Sequence, residues 1–412
     1  MTKSKLRRYF QLLLVVAAAG SIYPIIYLRT AYQETILYVF EMDIAQLNMV
    51  YVALGITFMA GYMPSGYLSD RFSAKWLLTI SLLFTAAGGF WFAQIPSFAG
   101  VIVIFCIWGF FSVFTFWAAH MKIVKLLSTP AEDGLFFGIL DGGRGLVEAL
   151  LATLAVVVFS GILGRQAVGD SPQAALQGVI YMYSIVLCLI ALLVGIFIED
   201  KNAENADKKP KIKILGSPIF RLKSVYILGA IIFMGYFLTW GQYFLGGFLQ
   251  VNMNVDPVMA AAVMAAFLWM RPLGGVLGGF FADKFNKSAA LSVYMGLTAL
   301  CLLLIAVLPV GVNVWIFYVL IVLSGLFVFC VRGTYWSLLG NIGIDAKHTG
   351  LAIGFISFLG YWPDILAPIL SNRLFERFGE NLGYNVYFAV LAVFGAAGIG
   401  LCWWFRKITV SR

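Results

Sequence analysis

Charge is what this chain has least of. Only 11% of its 412 residues are Asp, Glu, Lys or Arg, where a soluble domain carries about 25%. So few ionisable side chains cannot cover the surface of two or three soluble domains, which the length alone would suggest. Histidine is nearly absent, with only His120 and His348, so no His-rich metal site or His-based catalysis is expected. The five cysteines, Cys106, Cys188, Cys301, Cys330 and Cys402, sit in apolar runs without C-x-x-C or Cys/His spacing. That excludes a disulfide framework and a cysteine metal site. No G-x-x-x-x-G-K-[ST] occurs, which argues against an ATP motor. No Ser/His, paired-Asp or H-E-x-x-H arrangement appears either, so neither an enzyme nor a cofactor is expected.

What is present is apolar. The chain is 62% hydrophobic, with a mean hydropathy of +0.93. Such a chain buries its surface in a lipid bilayer as well as in a core. The net charge of +9 would hint at nucleic acid in a soluble protein. Here the cations flank apolar runs, and no nucleic-acid partner is expected. Aromatics at 16% and 42 glycines fit helices that pack closely and anchor at membrane interfaces.

A membrane span needs about 20 apolar residues. Twelve such runs can be read, at 9–31, 45–69, 74–95, 98–124, 134–160, 177–198, 224–250, 257–282, 288–308, 312–339, 348–372 and 383–405. They do not alternate in polarity and are about twice the length of a barrel strand, so they are predicted helices. The fold class is therefore an all-α membrane protein of 12 transmembrane helices in two six-helix bundles. The first run is too long for a signal-peptide core and reads as an uncleaved helix. Residues 199–223, with seven Lys/Arg and four Asp/Glu, form a linker between a bundle over 1–198 and a bundle over 224–412. Lys/Arg bias sets the orientation. With both termini in the cytoplasm, the outer side holds only Arg165, Arg373 and Arg377, while the N-terminus, the linker and the C-terminal tail are basic. Arg29, Arg144, Arg271 and Arg332 are left within or near the spans.

The halves repeat. GYLSDRFSAK at 66–75 matches GFFADKFNK at 279–287, with Gly66 on Gly279 and Asp70-Arg71 on Asp283-Lys284 at an offset of 213. EDGLFFGI at 132–139 matches HTGLAIGF at 348–355 at an offset of 216. Duplicated halves place a substrate site at their interface near the midplane. The G-x-x-x-D-R/K-x-x-x-K loop after spans two and eight resembles the signature loop of the major facilitator superfamily. That resemblance covers the whole chain. It implies a gate brace built from Gly66, Asp70, Arg71, Gly279, Asp283 and Lys284, with Asp70 facing the start of span eleven. YLRTAY at 27–32 and GLAIGFISFLGY at 350–361 are similar to the first and eleventh helices of organophosphate:phosphate antiporters. FLTWGQYF at 237–244 lacks the second phosphate-binding arginine of those carriers, and the fifth helix lacks their histidine. The resemblance is to a distant relative with an altered site.

Ionisable residues at membrane depth cost at least about 2.5–3.5 kcal/mol each and mark function by default. Asp141, Arg144 and Glu148 share one face of span five, at about 10, 15 and 21 Å from its cytoplasmic end. They read either as a self-compensating trio or as a substrate or proton element. Arg271 precedes Pro272 near the midplane, where a guanidinium offers bidentate binding to carboxylate, phosphate or sulfate; Asp364 is its alternative, structural partner. Arg332 is placed to stack on Trp336 at i+4 or to snorkel. Asp364 aligns with Glu148 at the offset of 216, and reads as a gate element or a proton site. Tyr23, Tyr27, Trp240, Gln242, Tyr243, Tyr361 and Trp362 lie on helices that would line a cavity. His120 reads as an interface residue.

The expected substrate site is Arg29, Arg144, Arg271, Arg332, Tyr27, Trp240, Gln242, Trp336 and Tyr361, with Glu148, Asp141 and Asp364 as proton-coupling groups. The expected function is secondary transport of a small, polar, anionic metabolite such as a sugar acid, a carboxylate, or a sulfo- or phospho-sugar. Protons or a counter-anion drive it. Efflux of hydrophobic drugs is the alternative, against which four intramembrane arginines speak. The expected setting is a monomeric, multi-pass protein of a bacterial inner membrane.

Overall fold

The computed structural model describes residues 3–128, 132–164, 172–199, 218–342 and 349–410. Most of the linker 199–223 thus lies outside the described residues. The chain divides into two compact units, Met1–Lys209 and Pro210–Arg412. Among the described residues both are helical and contain no strand.

The first unit comprises α1 (Lys3–Ser21), α2 (Arg29–Val39), α3 (Ile44–Arg71), α4 (Ala74–Phe92), α5 (Phe98–Gly109), α6 (Trp117–Leu127), α7 (Asp133–Leu163) and α8 (Pro172–Phe197). The second comprises α9 (Lys223–Trp240), α10 (Gln242–Val251), α11 (Pro257–Lys284), α12 (Lys287–Val307), α13 (Val314–Tyr335), α14 (Thr349–Gly360), α15 (Pro363–Phe378) and α16 (Glu380–Val410). Eleven helical stretches of the described residues are long and apolar enough to cross a membrane. The twelfth predicted run, the first in sequence, is two helices joined by turns over 22–28. Pro24 lacks the backbone N–H a continuous helix needs, and the basic start of α1 shortens its apolar part.

Helix ends follow local chemistry. Asp43 and Gln46 form a capping box at the start of α3. Asp256 caps α11, whose first residue is Pro257. Asn286 and Asn313 cap α12 and α13.

Packing repeats between the units, each taken by itself. In the first, α1 packs on α7, α3 on α5, and α4 on α8. In the second, α9 packs on α14, α11 on α13, and α12 on α16. These are the same pairings in the duplicated numbering: span one with five, two with four, three with six. The loop motifs that match in sequence thus sit on helices with matching neighbours.

The α11–α13 contact depends on small residues. A Cβ added at Gly274 would lie 2.7 Å from the Leu326 carbonyl oxygen and 2.8 Å from Phe329 Cβ; one at Gly278 would lie 2.8 Å from Cys330 Cα. Backbone cannot yield as a side-chain tip does, and helices in lipid associate mainly through such close packing. Gly274→Val is expected to lower the stability of the purified protein by about 1–3 kcal/mol. Thermal unfolding in detergent checks it: an unchanged midpoint would mean α11 and α13 separate without cost.

Candidate functional site

Helix breaks mark where polar groups gather. In the first unit the breaks are the turns at 22–28 and a π-helical stretch, Phe110–Thr115, between α5 and α6. In the second they are Gly241 between α9 and α10, a 3-10 turn at Trp336–Asn341 after α13, and Tyr361-Trp362 between α14 and α15. Discontinuous spans are a common device for building a membrane binding site, and π-turns frequently accompany one.

In the first unit the turns at 22–28 deliver Arg29 to the start of α2. It is fully buried. Its two terminal nitrogens donate to Asn48 Oδ1 and to Gln33 Oε1, each at 2.7 Å. Its guanidinium lies 4.9 Å from the centre of the Tyr51 ring. Tyr27 stacks on Tyr51 with ring centres 5.8 Å apart, and Gln33 passes a hydrogen bond on to Glu34. Helical spacing alone brings Gln33 beside Arg29, four residues on. Asn48 comes from α3 and carried no signal in the sequence.

Arg144 of α7 pairs with Glu148 at 3.1 Å and lies 4.7 Å over the Tyr23 ring. Tyr23 in turn donates to the Ser112 carbonyl of the π-helical stretch at 3.0 Å. Tyr23 therefore joins two of the broken spans and carries the Arg144 guanidinium on its ring. Glu148 is buried. Asp141 is exposed and belongs to no ion pair among the described residues, so the expected trio is a pair plus a separate acid. The reason is reach: Arg144 turns toward Glu148 and the Tyr23 face. His120 is buried. It stacks on Phe116 at 5.0 Å and bonds that residue's carbonyl one turn back.

The second unit holds the denser cluster. Asp364, at the start of α15, is almost fully buried. Its Oδ1 accepts from the Tyr236 hydroxyl at 2.9 Å and from Trp240 Nε1 at 3.1 Å, both on α9. Its Oδ2 is buried without a hydrogen-bond partner. The Arg332 guanidinium lies 5.8 Å from the Tyr236 ring centre and in electrostatic reach of Tyr243, Tyr335, Tyr361 and Asp364. Trp336 does not stack on Arg332 as its spacing suggested; its Nε1 donates to the Tyr361 hydroxyl at 3.2 Å. Trp336 begins the 3-10 turn, which carries it off the α-helical i+4 position. Tyr361 packs edge-on to Tyr236 at 4.8 Å, and Gln242 is buried at the start of α10.

Arg271 lies 5.7 Å from the ring centre of Phe329, one turn before Arg332 on α13. Asp364 is bonded to Tyr236 and Trp240, not to Arg271. Tyr236 and Tyr335 were not singled out in the sequence. In a chain with 19 tyrosines, nothing but the fold picks out two.

The loop residues behave differently. Gly66 and Gly279 face open space. Arg71, Asp283 and Lys284 are exposed, and Asp283 meets Lys287 at 3.9 Å. Asp70 occupies the last turn of α3; its side chain lies outside the described residues. The adjoining turn is tied to α6: Lys122 Nζ donates to the Ser69 carbonyl, and the Ala118 amide donates to Ser65 Oγ at 3.0 Å.

Repeated helical units with charge clusters on broken spans define a multi-pass membrane transporter. Residues 9–368 match the Major Facilitator Superfamily model, and the chain belongs to that superfamily; it is a transporter and not an enzyme. It is similar to Inner membrane protein YihN of Escherichia coli (strain K12), 23% identical over 93% of this chain and 92% of that one. It is also similar to the Hexuronate transporter of Bacillus subtilis (strain 168), 24% identical over 86% of this chain and 85% of that one. Among solved structures, a bacterial homolog of the human lysosomal transporter Spinster, inward-facing and unoccupied, matches with a TM-score of 0.75. It covers 98% of both chains at 14% identity, a likeness of fold.

Proposed function

We propose that this transporter carries a small organic anion with several hydroxyl groups, a sugar acid being the best fit. The observation that carries this is the Arg332 cluster. One guanidinium stands among four tyrosines, beside a buried carboxylate with one unpartnered oxygen. The guanidinium suits a carboxylate through a planar, two-point contact. The tyrosine hydroxyls and Asp364 suit donors and acceptors around a sugar ring. Arg29, Arg144 and Arg271, with Tyr27, Trp240, Gln242, Trp336 and Tyr361, complete the proposed substrate set. The name of the Bacillus relative agrees with this class. A hydrophobic drug offers nothing for these groups to pair with, and burying them unpaired against it costs affinity.

Transport proceeds by alternating access, driven by protons or by exchange. Asp364, Glu148 and Asp141 are the proposed coupling acids. In this reading both termini are cytoplasmic, residues 199–223 link bundles 1–198 and 224–412, and the membrane is a bacterial inner membrane. The test is thermal unfolding of the purified protein against glucuronate, galacturonate, the neutral hexoses and sugar phosphates. Ligands that bind the folded state raise its midpoint. Stabilisation by hexuronates and not by hexoses is expected; stabilisation only by lipophilic cations would overturn the reading.

The loops 66–75 and 279–287 are the proposed gate, with Gly66, Asp70, Arg71, Gly279, Asp283 and Lys284 as its parts. Asp70→Asn is expected to leave insertion and unfolding temperature unchanged while cutting flux at least about tenfold, the scale of one lost charge-assisted contact. Asp283→Asn is expected to be milder, because Asp283 is exposed beside Lys287 at 3.9 Å. Initial uptake rates in proteoliposomes read both variants. Wild-type flux in Asp70→Asn would remove that loop from the gate.

A further inference from the structure

The break between α14 and α15 leaves backbone acceptors unspent inside a span. The stretch Ala352–Phe378 is long and apolar enough to cross a membrane, and Pro363 opens α15 within it. Proline has no N–H, so the Leu359 carbonyl four residues back loses its helical donor. The carbonyls on either side lose theirs as well. The Tyr361 amide still donates to the Ser357 carbonyl at 3.0 Å. The Trp362 amide does not reach Phe358, and the Asp364 amide donates to the Tyr361 carbonyl at 3.1 Å instead of to Gly360. The carbonyls of Phe358, Leu359 and Gly360 therefore accept no hydrogen bond among the described residues. Gly360 is buried, and Phe358 and Leu359 are half-buried. Lipid supplies no donor, so open backbone at membrane depth is tolerated only where protein encloses it or a water-filled cavity reaches it.

We infer that these three carbonyls are acceptors for the hydroxyl groups of the substrate. Helix carbonyls point toward the C-terminal end, so these three project into the break. Asp364 stands at the same break, four residues beyond Gly360, with its Oδ2 buried and unpartnered. Backbone carbonyls and an ionised carboxylate only accept, so the carboxylate of a ligand has nothing to offer them. A hydroxyl group does, because it brings one donor. Charge and hydroxyls are then read separately: Arg332, within electrostatic reach of Asp364, takes the carboxylate, and the break takes the hydroxyls. This rests on the sugar-acid reading and deepens it. The carrier selects its anion by the hydroxyls it bears and discriminates against a carboxylate on a bare ring. Pro363 is the residue that keeps the Leu359 acceptor open.

The test is a cycle that pairs a change in the protein with a change in the ligand. Calorimetric titration of the purified full chain uses glucuronate, its monodeoxy analogues and cyclohexanecarboxylate. The wild type should bind glucuronate at least about tenfold more tightly than cyclohexanecarboxylate, since each neutral hydrogen bond contributes about two- to tenfold. Pro363→Ala restores an N–H that closes onto the Leu359 carbonyl and so spends that acceptor. The variant should bind glucuronate about two- to tenfold more weakly and cyclohexanecarboxylate as before. One monodeoxy analogue, penalised in the wild type, should lose its penalty in Pro363→Ala. A merely structural proline would weaken every ligand by the same factor, and that result would overturn the inference. So would a wild type that binds cyclohexanecarboxylate as tightly as glucuronate, a result that needs no variant to fold. Binding that requires Na⁺ and ignores the hydroxyls would assign the carbonyls to a cation and likewise overturn it. A wild type that binds none of these acids would overturn the sugar-acid reading itself, and the inference with it.

Discussion

Arg144→Ala is expected to abolish substrate binding. Truncating one partner of a buried, hydrogen-bonded charge pair costs about 2–5 kcal/mol, at least about 30-fold in affinity. Part of that cost is structural, because Glu148 pairs with Arg144 at 3.1 Å and is left buried alone. A second variant separates the two contributions. Arg144→Ala with Glu148→Gln removes the stranded charge, so it should recover stability without recovering binding. Arg144→Lys should keep the pair with Glu148 and still bind poorly, because an ammonium does not reproduce the planar fork. Titration with a hexuronate, read by unfolding temperature, follows all three. Restored binding in the double variant would make Arg144 a structural residue.

The second large effect concerns coupling. Asp364→Asn should permit substrate exchange and eliminate uphill, pH-driven accumulation. The carboxylate is held by Tyr236 and Trp240 through one oxygen, while the other is buried without a partner. An amide keeps the first two hydrogen bonds, so folding should survive. It cannot cycle between charged and neutral forms as the carrier changes state. Glu148→Gln makes the sharpest comparison. Glu148 is compensated by Arg144, whereas no ion pair among the described residues includes Asp364. Counterflow and pH-driven uptake measured in the same vesicles distinguish the two acids. If Asp364→Asn accumulates fully and Glu148→Gln does not, coupling runs through α7. If both accumulate, the carrier is an exchanger.

The fold was readable because membrane helices announce themselves by length and apolarity. The repeat was readable because loop motifs recur at fixed offsets. The break in the first span was not anticipated, although Pro24 was visible, because apolarity continues through 22–28 while the backbone turns. The charged members of the site stood out, since so few charges interrupt the spans. Their partners did not. Asn48 meets Arg29, and Tyr236 meets Asp364, across sequence gaps that no local period encodes. Tyr335 resembles any other aromatic until helix packing sets it beside Arg332. Rotamer direction was equally hidden: helical spacings that put both acids on the face of Arg144 did not foretell that Glu148 would be paired and Asp141 exposed.

The most direct test of an anion carrier is counterflow. Proteoliposomes loaded with unlabelled glucuronate are diluted into labelled glucuronate, with no pH gradient. The account predicts saturable, transient accumulation of label that Arg332→Ala and Arg144→Ala eliminate. Entry that fails to saturate, or no entry of any hexuronate while a lipophilic cation exchanges freely, would contradict it.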